Sequence, residues 1–306
     1  MSVNPPTYPV IAVLGPTASG KTSIALKIAQ KFNGIIINCD SRQIYEEMLI
    51  GTASPTEEEK KQVEHRLFNF VSPKLQFNAS DYANLASQAI KEAWQKNKLP
   101  ILVGGTGFYY SAVSEGLGEA GSDSALSKQL QKELEGNGLP YMVSKLQELD
   151  PEAAKTVDLN NSRRVLRAIE VVTSTGRPFS QNKPKQILPE AEFYPIVVTQ
   201  PREELHRRIE LRIEQMFEEG LEKEVRHIIE KYGKDAAALS SIGYREWLDQ
   251  NFDKELIKEQ ILIHTRQYAK RQETWFRKKP GVPFIDLSKK DSAENILEKI
   301  AFFFKN

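Results

Sequence analysis

Gly15-Pro16-Thr17-Ala18-Ser19-Gly20-Lys21-Thr22 fits the pattern G-x-x-x-x-G-K-[ST]. Residues of these types at this spacing bind phosphate. The glycines let the backbone wrap closely, successive N–H groups and a helix N-terminus face the anion, Lys21 adds a point charge, and the Thr22 hydroxyl can ligate Mg²⁺. The motif also has the context it needs, an apolar run from Val10 to Leu14 before it and a helical pattern from about Gly20 to Phe32 after it. Such a loop is built for nucleotide phosphates such as those of ATP, but phosphate binding alone does not mean hydrolysis. An NTPase normally carries an acid at the end of a later apolar strand to organise Mg²⁺, whereas Leu99-Pro100-Ile101-Leu102-Val103 runs into Gly104-Gly105-Thr106-Gly107 without a carboxylate. The carboxylate in a suitable place is Asp40, which ends the run Ile35 to Cys39 beside the crevice where parallel sheets bind ligands. It can be a Mg²⁺ ligand, a general base, or the N-cap of a short helix begun by Ser41.

The elements that must carry these residues read as an α/β fold, a P-loop-type parallel sheet with helices on both faces. β-branched runs at Val10 to Leu14, Ile35 to Cys39 and Ile101 to Val103 alternate with helical patterns at Gly20 to Phe32 and Ser80 to Asn97, as βαβ units require. From Glu115 to Pro189 no strand is expected, and Gly116, Gly118, Gly121, Gly136 and Gly138 separate helical segments. The domains are therefore expected to be a core of residues 1–114 and 190–306 and a helical insertion of 115–189. A strand returns at Phe193 to Thr199, Pro201 starts a helix, and Glu203 to Lys231 and Lys254 to Lys279 read as long helices.

Across 306 residues, 42 basic and 41 acidic side chains leave a net charge of +1, but the charge is segregated. Asn160 to Pro189 holds six basic residues against Glu170 alone, and His264 to Pro280 holds six against Glu273 alone. Such stretches are what a phosphate footprint would look like, or simply solvated helix faces. The single cysteine, Cys39, permits neither an internal disulfide nor a cysteine-rich zinc site, which fits a reducing cytoplasm. His65, His206, His227 and His264 lack metal-ligand spacing. No basic region followed by a long apolar stretch opens the chain, and its apolar runs are too short to cross a bilayer, so no membrane is expected.

The phosphate loop, Asp40-Ser41-Arg42-Gln43-Ile44-Tyr45, Gly51-Thr52-Ala53, His65-Arg66-Leu67 and Gly104-Gly105-Thr106-Gly107 followed by Tyr109 together resemble the bacterial tRNA dimethylallyltransferase family. The resemblance continues through Arg164, Arg167-Ala168-Ile169-Glu170-Val171, Met216, Gly220-Leu221, Glu224-Val225, Ile242-Gly243-Tyr244-Arg245 and Thr265-Arg266-Gln267-Tyr268-Ala269-Lys270-Arg271-Gln272. It implies transfer of a dimethylallyl group from its pyrophosphate to the exocyclic amine of the adenosine immediately 3′ of a tRNA anticodon. The P-loop would then hold a leaving pyrophosphate, with Mg²⁺ on Thr22, and no strand-end acid would be needed to aim water. Asp40 matches the family's base, and Arg208 or Arg212 is the later arginine on the pyrophosphate. Asp40, Ser41, Arg42 and Gln43 match the adenosine-binding stretch, and Thr106 matches a tRNA contact at the reaction centre. Arg163, Arg164, Arg167, Arg245, Lys270, Arg271 and Arg277 match the grip on the anticodon stem-loop. The chain is expected to act as a monomer.

The chain departs from the family pattern in two places. Glu119-Ala120-Gly121-Ser122-Asp123-Ser124 leads to Lys128 where an arginine usually touches tRNA, and lysine loses bidentate geometry. Ser240 stands where a basic residue can occur. The competing readings are a P-loop kinase of small molecules, which wants the missing acid and a lid of arginines, and an adenylate isopentenyltransferase, which has less use for the insertion. A non-catalytic RNA-binding protein would be expected to lose Asp40 or Lys21, and both are present.

Overall fold

A computed structural model describes residues 7–118, 124–249 and 253–304. Its strands are β1 Tyr8–Leu14, β2 Gly34–Asn38, β3 His65–Arg66, β4 Leu99–Gly104, β5 Ala191–Thr199 and β6 Phe284–Asp286. They form one parallel sheet in the order β3-β2-β4-β1-β5-β6. The helices are α1 Lys21–Lys31, α2 Glu57–Gln62, α3 Ala79–Gln95, α4 Gly107–Ser114, α5 Ser124–Leu149, α6 Pro151–Thr156, α7 Ser162–Thr175, α8 Arg202–Glu219, α9 Leu221–Tyr232, α10 Glu246–Asp249, α11 Lys254–Arg277 and α12 Ser292–Phe303.

The central strand shows why the apolar runs are continuous. Val10 to Leu14 are all fully buried, as a strand covered on both faces must be. Ile11 and Val13 point to one face with Ile24 and Ile28 of α1 and Ile296 and Ile300 of α12. The alternate residues point to the other face, where the Tyr82 hydroxyl of α3 donates to Asn38 O at 2.8 Å.

The chain divides into two compact units, Met1–Ser114 with Ile187–Asn306, and Glu115–Gln186. The second unit ends at Gln186 rather than Pro189 because the chain is already entering the sheet: Leu188 is fully buried and its carbonyl accepts Ala191 N–H at 3.0 Å. That unit is helical, with Leu130, Met142, Leu146, Val165, Ala168 and Ile169 at its centre. Its long helix α5 is broken at Gly138 (φ 78°), where Pro140 follows. Residues 119–123 lie outside the described residues.

Two expectations change. The helix read from Glu203 to Lys231 is two helices, because Gly220 takes a left-handed conformation (φ 100°) and its N–H caps Met216 O and Phe217 O. The edge strands β3 and β6 and the last helix α12 were not expected at all.

Candidate functional site

The loop from Gly15 to Gly20 joins β1 to α1, and its glycines are there for close approach. A Cβ on Gly15 (φ 144°) would lie 2.2 Å from Val198 O, and Gly20 (φ 98°) is left-handed at the N-cap of α1. Lys21 Nζ donates to Pro16 O at 2.6 Å. Burial lowers the Lys21 amine to about 8, with the Asp40 carboxylate opposing and the Arg212 guanidinium adding to that shift. Thr17 is held twice: its N–H donates to Gln272 Oε1 at 2.9 Å, and its hydroxyl accepts Arg212 Nη1 at 2.9 Å.

Asp40 follows β2. Asn38 Oδ1 accepts Asp40 N–H at 2.8 Å, and Asp40 Oδ1 accepts Arg42 N–H at 2.9 Å, a local turn with no helix at Ser41, so the N-cap reading does not hold. Asp40 Oδ2 takes no bond among the described residues. Thr106 Oγ1 accepts Ser41 N–H at 2.9 Å and lies 3.2 Å from Ser41 Oγ, and Thr106 N–H donates to Cys39 O at 3.2 Å. The turn after β4 thus grips the end of β2. At Gly104 there is no room for any side chain: a Cβ there would lie 2.0 Å from Cys39 O.

Two cavities meet at Asp40. One, about 540 Å³, is lined by Gly20, Lys21, Thr22, Gln43, Arg208 and Arg212 among others. The second, about 230 Å³, is lined by Arg42, Arg245, Arg271, Ser240 and Tyr268 together with Ile209, Ile213, Ile242 and Ile261. Thr17, Asp40, Thr52, Arg212 and Met216 border both.

The geometry separates the two arginines that the sequence left equal. Arg212 turns inward, bonding Thr17 and, through Nη2, Thr52 O at 3.2 Å, with its Nε buried and unpartnered. Burial lowers its guanidinium from the ordinary value, and the Asp40 carboxylate works against that. Arg208 is instead 41% exposed and paired with Glu204 at 2.8 Å, although it also reaches the wall of the larger cavity.

A divalent cation suits this donor set in a limited way. Thr22 and Asp40 both border the larger cavity, but the described residues hold no group of three acidic, histidine or cysteine ligands. A Mg²⁺ ion here would draw most of its oxygens from a bound pyrophosphate and water, with the Thr22 hydroxyl as the chain's contribution.

The model of a family described as IPP transferase matches residues 43–279. The chain belongs to that family. A tRNA dimethylallyltransferase of Acetivibrio thermocellus is 41% identical over 302 residues, with 96% of each chain covered. One of Petrotoga mobilis is 40% identical over 297 residues, covering 95% of this chain and 97% of that protein. Among solved structures, a tRNA isopentenylpyrophosphate transferase of Bacillus halodurans matches with TM-score 0.68 at 35% identity, over 95% of each chain. A eukaryotic dimethylallyltransferase acting on tRNA matches with TM-score 0.82 at 27% identity, over 97% of this chain and 79% of that one.

The family's basic positions fall into distinct environments in this chain. In the helical unit Lys128, Arg163 and Arg164 are exposed, Arg164 facing Asp158 at a loose 3.9 Å. Arg167 bonds the buried carboxylate of Glu170 at 2.7 Å, which Ser127 Oγ also reaches. In the sheet unit Arg245 and Arg271 line the smaller cavity, Lys270 is exposed, and Arg277 pairs with Glu273 at 2.5 Å.

Other residues turn out to hold the site in shape. Glu224 accepts the N–H groups of Leu49, Ile50 and Gly51 at 2.8 to 3.1 Å, and the Tyr244 hydroxyl at 2.5 Å, so it fixes the loop that ends in Thr52. Gln200 donates to Ser19 O at 3.3 Å beneath the P-loop, while Gln200 Oε1 and Ser19 Oγ are buried without partners. Trp275 and Phe276 both pack, the first against Gly107 and the second fully inside.

Proposed function

We propose that this protein transfers the dimethylallyl group of dimethylallyl pyrophosphate to the exocyclic N6 amine of the adenosine immediately 3′ of a tRNA anticodon. The observation that carries this reading is the position of Asp40 on the shared wall of a phosphate-loop cavity and a second cavity lined by arginines, a tyrosine and apolar side chains.

In the reaction the N6 lone pair forms a bond to the allylic carbon, the carbon–oxygen bond breaks, and its electrons leave with pyrophosphate. The proton lost from N6 goes to the Asp40 carboxylate. The amine is a poor nucleophile because its lone pair is delocalised into the ring, so this transfer contributes about 10²- to 10⁴-fold. Lys21 and Arg212 neutralise the charge that develops on the leaving group. The Thr22 hydroxyl would hold a Mg²⁺ ion, which when bound would supply further stabilisation of that charge. The target base is extruded from its stack to reach the half-buried Asp40 carboxylate. Ser41, Arg42, Gln43 and Thr106 hold the adenosine, while Lys128, Arg163, Arg164, Arg167, Arg245, Lys270, Arg271 and Arg277 bind the stem-loop backbone. The enzyme acts as a monomer in the cytoplasm. Among the described residues no helix is long and apolar enough to cross a membrane.

The test is incubation with radiolabelled dimethylallyl pyrophosphate and unmodified tRNA, with free adenine nucleotide as the alternative acceptor and ATP as the alternative donor. Label is expected in tRNA alone. Label in free nucleotide, or phosphate transfer from ATP to a small acceptor, would overturn the proposal.

A further inference from the structure

The glycine-rich turn after β4 is a seat for α11. A Cβ on Gly105 would lie 2.0 Å from Gln272 Nε2, and one on Gly107 would lie 2.1 Å from the Trp275 ring, so both bare positions exist to let this helix approach. Gln272 is only 5% exposed and uses both ends of its amide. Oε1 accepts Thr17 N–H from the P-loop at 2.9 Å, and Nε2 donates to Gly105 O in the turn at 3.0 Å. These partners fix the amide's orientation, because its oxygen can only accept and its nitrogen can only donate. A carboxylate has no donor for Gly105 O, and an ammonium has no acceptor for Thr17 N–H.

We infer that Gln272 is a positioning residue for the pyrophosphate cradle. It takes the Thr17 N–H into the protein, so the donors free to face an anion begin after Thr17, and it sets the spacing between the P-loop and the turn that carries Thr106. Arg212 holds the same threonine by its hydroxyl, so Thr17 is fixed from α11 through its backbone and from α8 through its side chain. The neighbours Lys270 and Arg271 are exposed, Arg271 also lining the smaller cavity, whereas Gln272 is buried against the P-loop and the turn. The inference rests on the proposed reading of the P-loop as the holder of pyrophosphate.

Gln272→Met keeps length and packing while removing both bonds, and Gln272→Glu keeps the acceptor but places a negative charge beneath the anion. Binding of inorganic pyrophosphate in Mg²⁺ buffer is measured by calorimetry, beside tRNA binding and thermal unfolding. Gln272→Met is expected to weaken pyrophosphate by about tenfold, as loss of one buried hydrogen-bonded link does. Gln272→Glu is expected to weaken it further, with tRNA affinity within about twofold of wild type in both. If Gln272→Met does not fold, Gly105→Ala carries the same measurement, because it pushes the amide aside without removing it. A purely structural role would lower the melting temperature and leave the pyrophosphate affinity of the folded protein unchanged, which would overturn the inference. So would a loss confined to tRNA. Failure of the wild type to bind pyrophosphate would overturn the reading of the P-loop itself, and the inference with it.

Discussion

The P-loop cavity and the exposed basic residues of the helical unit both offer positive charge, but they do so by opposite means. Around the cavity each cation is tied to the protein: Lys21 bonds Pro16 O, and Arg212 bonds Thr17 and Thr52, with burial pulling both groups down from their ordinary values. On the helical unit Lys128, Arg163 and Arg164 are exposed, and the described partner of Arg164 is a carboxylate 3.9 Å away. Pre-organised charge in a partly desolvated site acts on one transition state with little reorganisation. Charge in water acts on any nearby phosphate and is screened by salt. The first arrangement suits chemistry, and the second suits grip on a long polyanion.

The largest effect that separates the two regions is expected at Arg212. Arg212→Ala should lower the rate of prenyl transfer by about 10²- to 10³-fold, whereas Arg208→Ala, whose side chain is 41% exposed and paired with Glu204, should stay within a few-fold. Single-turnover kinetics of the two variants measure this, and equal losses would erase the distinction between them.

A smaller effect is expected on the helical unit. Replacing Lys128, Arg163 and Arg164 by Gln should flatten the slope of log tRNA affinity against log salt by about 0.7 to 0.9 per lost contact and leave pyrophosphate binding unchanged. An unchanged slope would make these residues solvated helix faces. Arg167 is the useful exception in this stretch. Because it bonds the buried Glu170 carboxylate, Arg167→Gln should also cost about 1 kcal/mol of stability, readable in thermal unfolding, where Arg164→Gln costs none.

The smallest effect expected is one of pH. The Lys21 amine, lowered to about 8 by burial, loses its proton as pH rises through that value, so pyrophosphate affinity should decline above it. Bound pyrophosphate favours the charged form, so binding near pH 8.5 should take up protons, measurable by calorimetry in buffers of different ionisation enthalpy. The linkage to folding has the matching sign: between about 8 and 10.5 the unfolded chain holds the proton that the folded chain releases, so Lys21 penalises folding less as pH rises. Lys21→Met should remove both effects.

Much of this was legible in the sequence, and the reasons it stopped are physical. The phosphate loop, the β-branched runs and the helical insertion are local patterns, and they place the α/β fold and Asp40. Strands of two and three residues, such as β3 and β6, carry no periodicity to read. Gln272 and Glu224 act on residues about 255 and 173 positions away, and no local pattern tells which side of a helix faces a distant loop. Arg208 and Arg212 lie one turn apart on one helix face, so periodicity could not rank them. A signal was nonetheless present: Arg208 has Glu204 at i−4, while Arg212 has Arg208 there and Met216 at i+4, leaving it without a helical partner to hold it in solvent.

The central claim is that Asp40 serves the chemical step between two separately bound substrates. Its direct test is the single-turnover rate of Asp40→Ala with tRNA and dimethylallyl pyrophosphate both saturating, together with both binding constants. A rate at least about 100-fold below wild type, with each affinity within a few-fold, is the expected result. A normal rate in a folded variant, or a loss that disappears when tRNA is raised to saturation, would contradict the account.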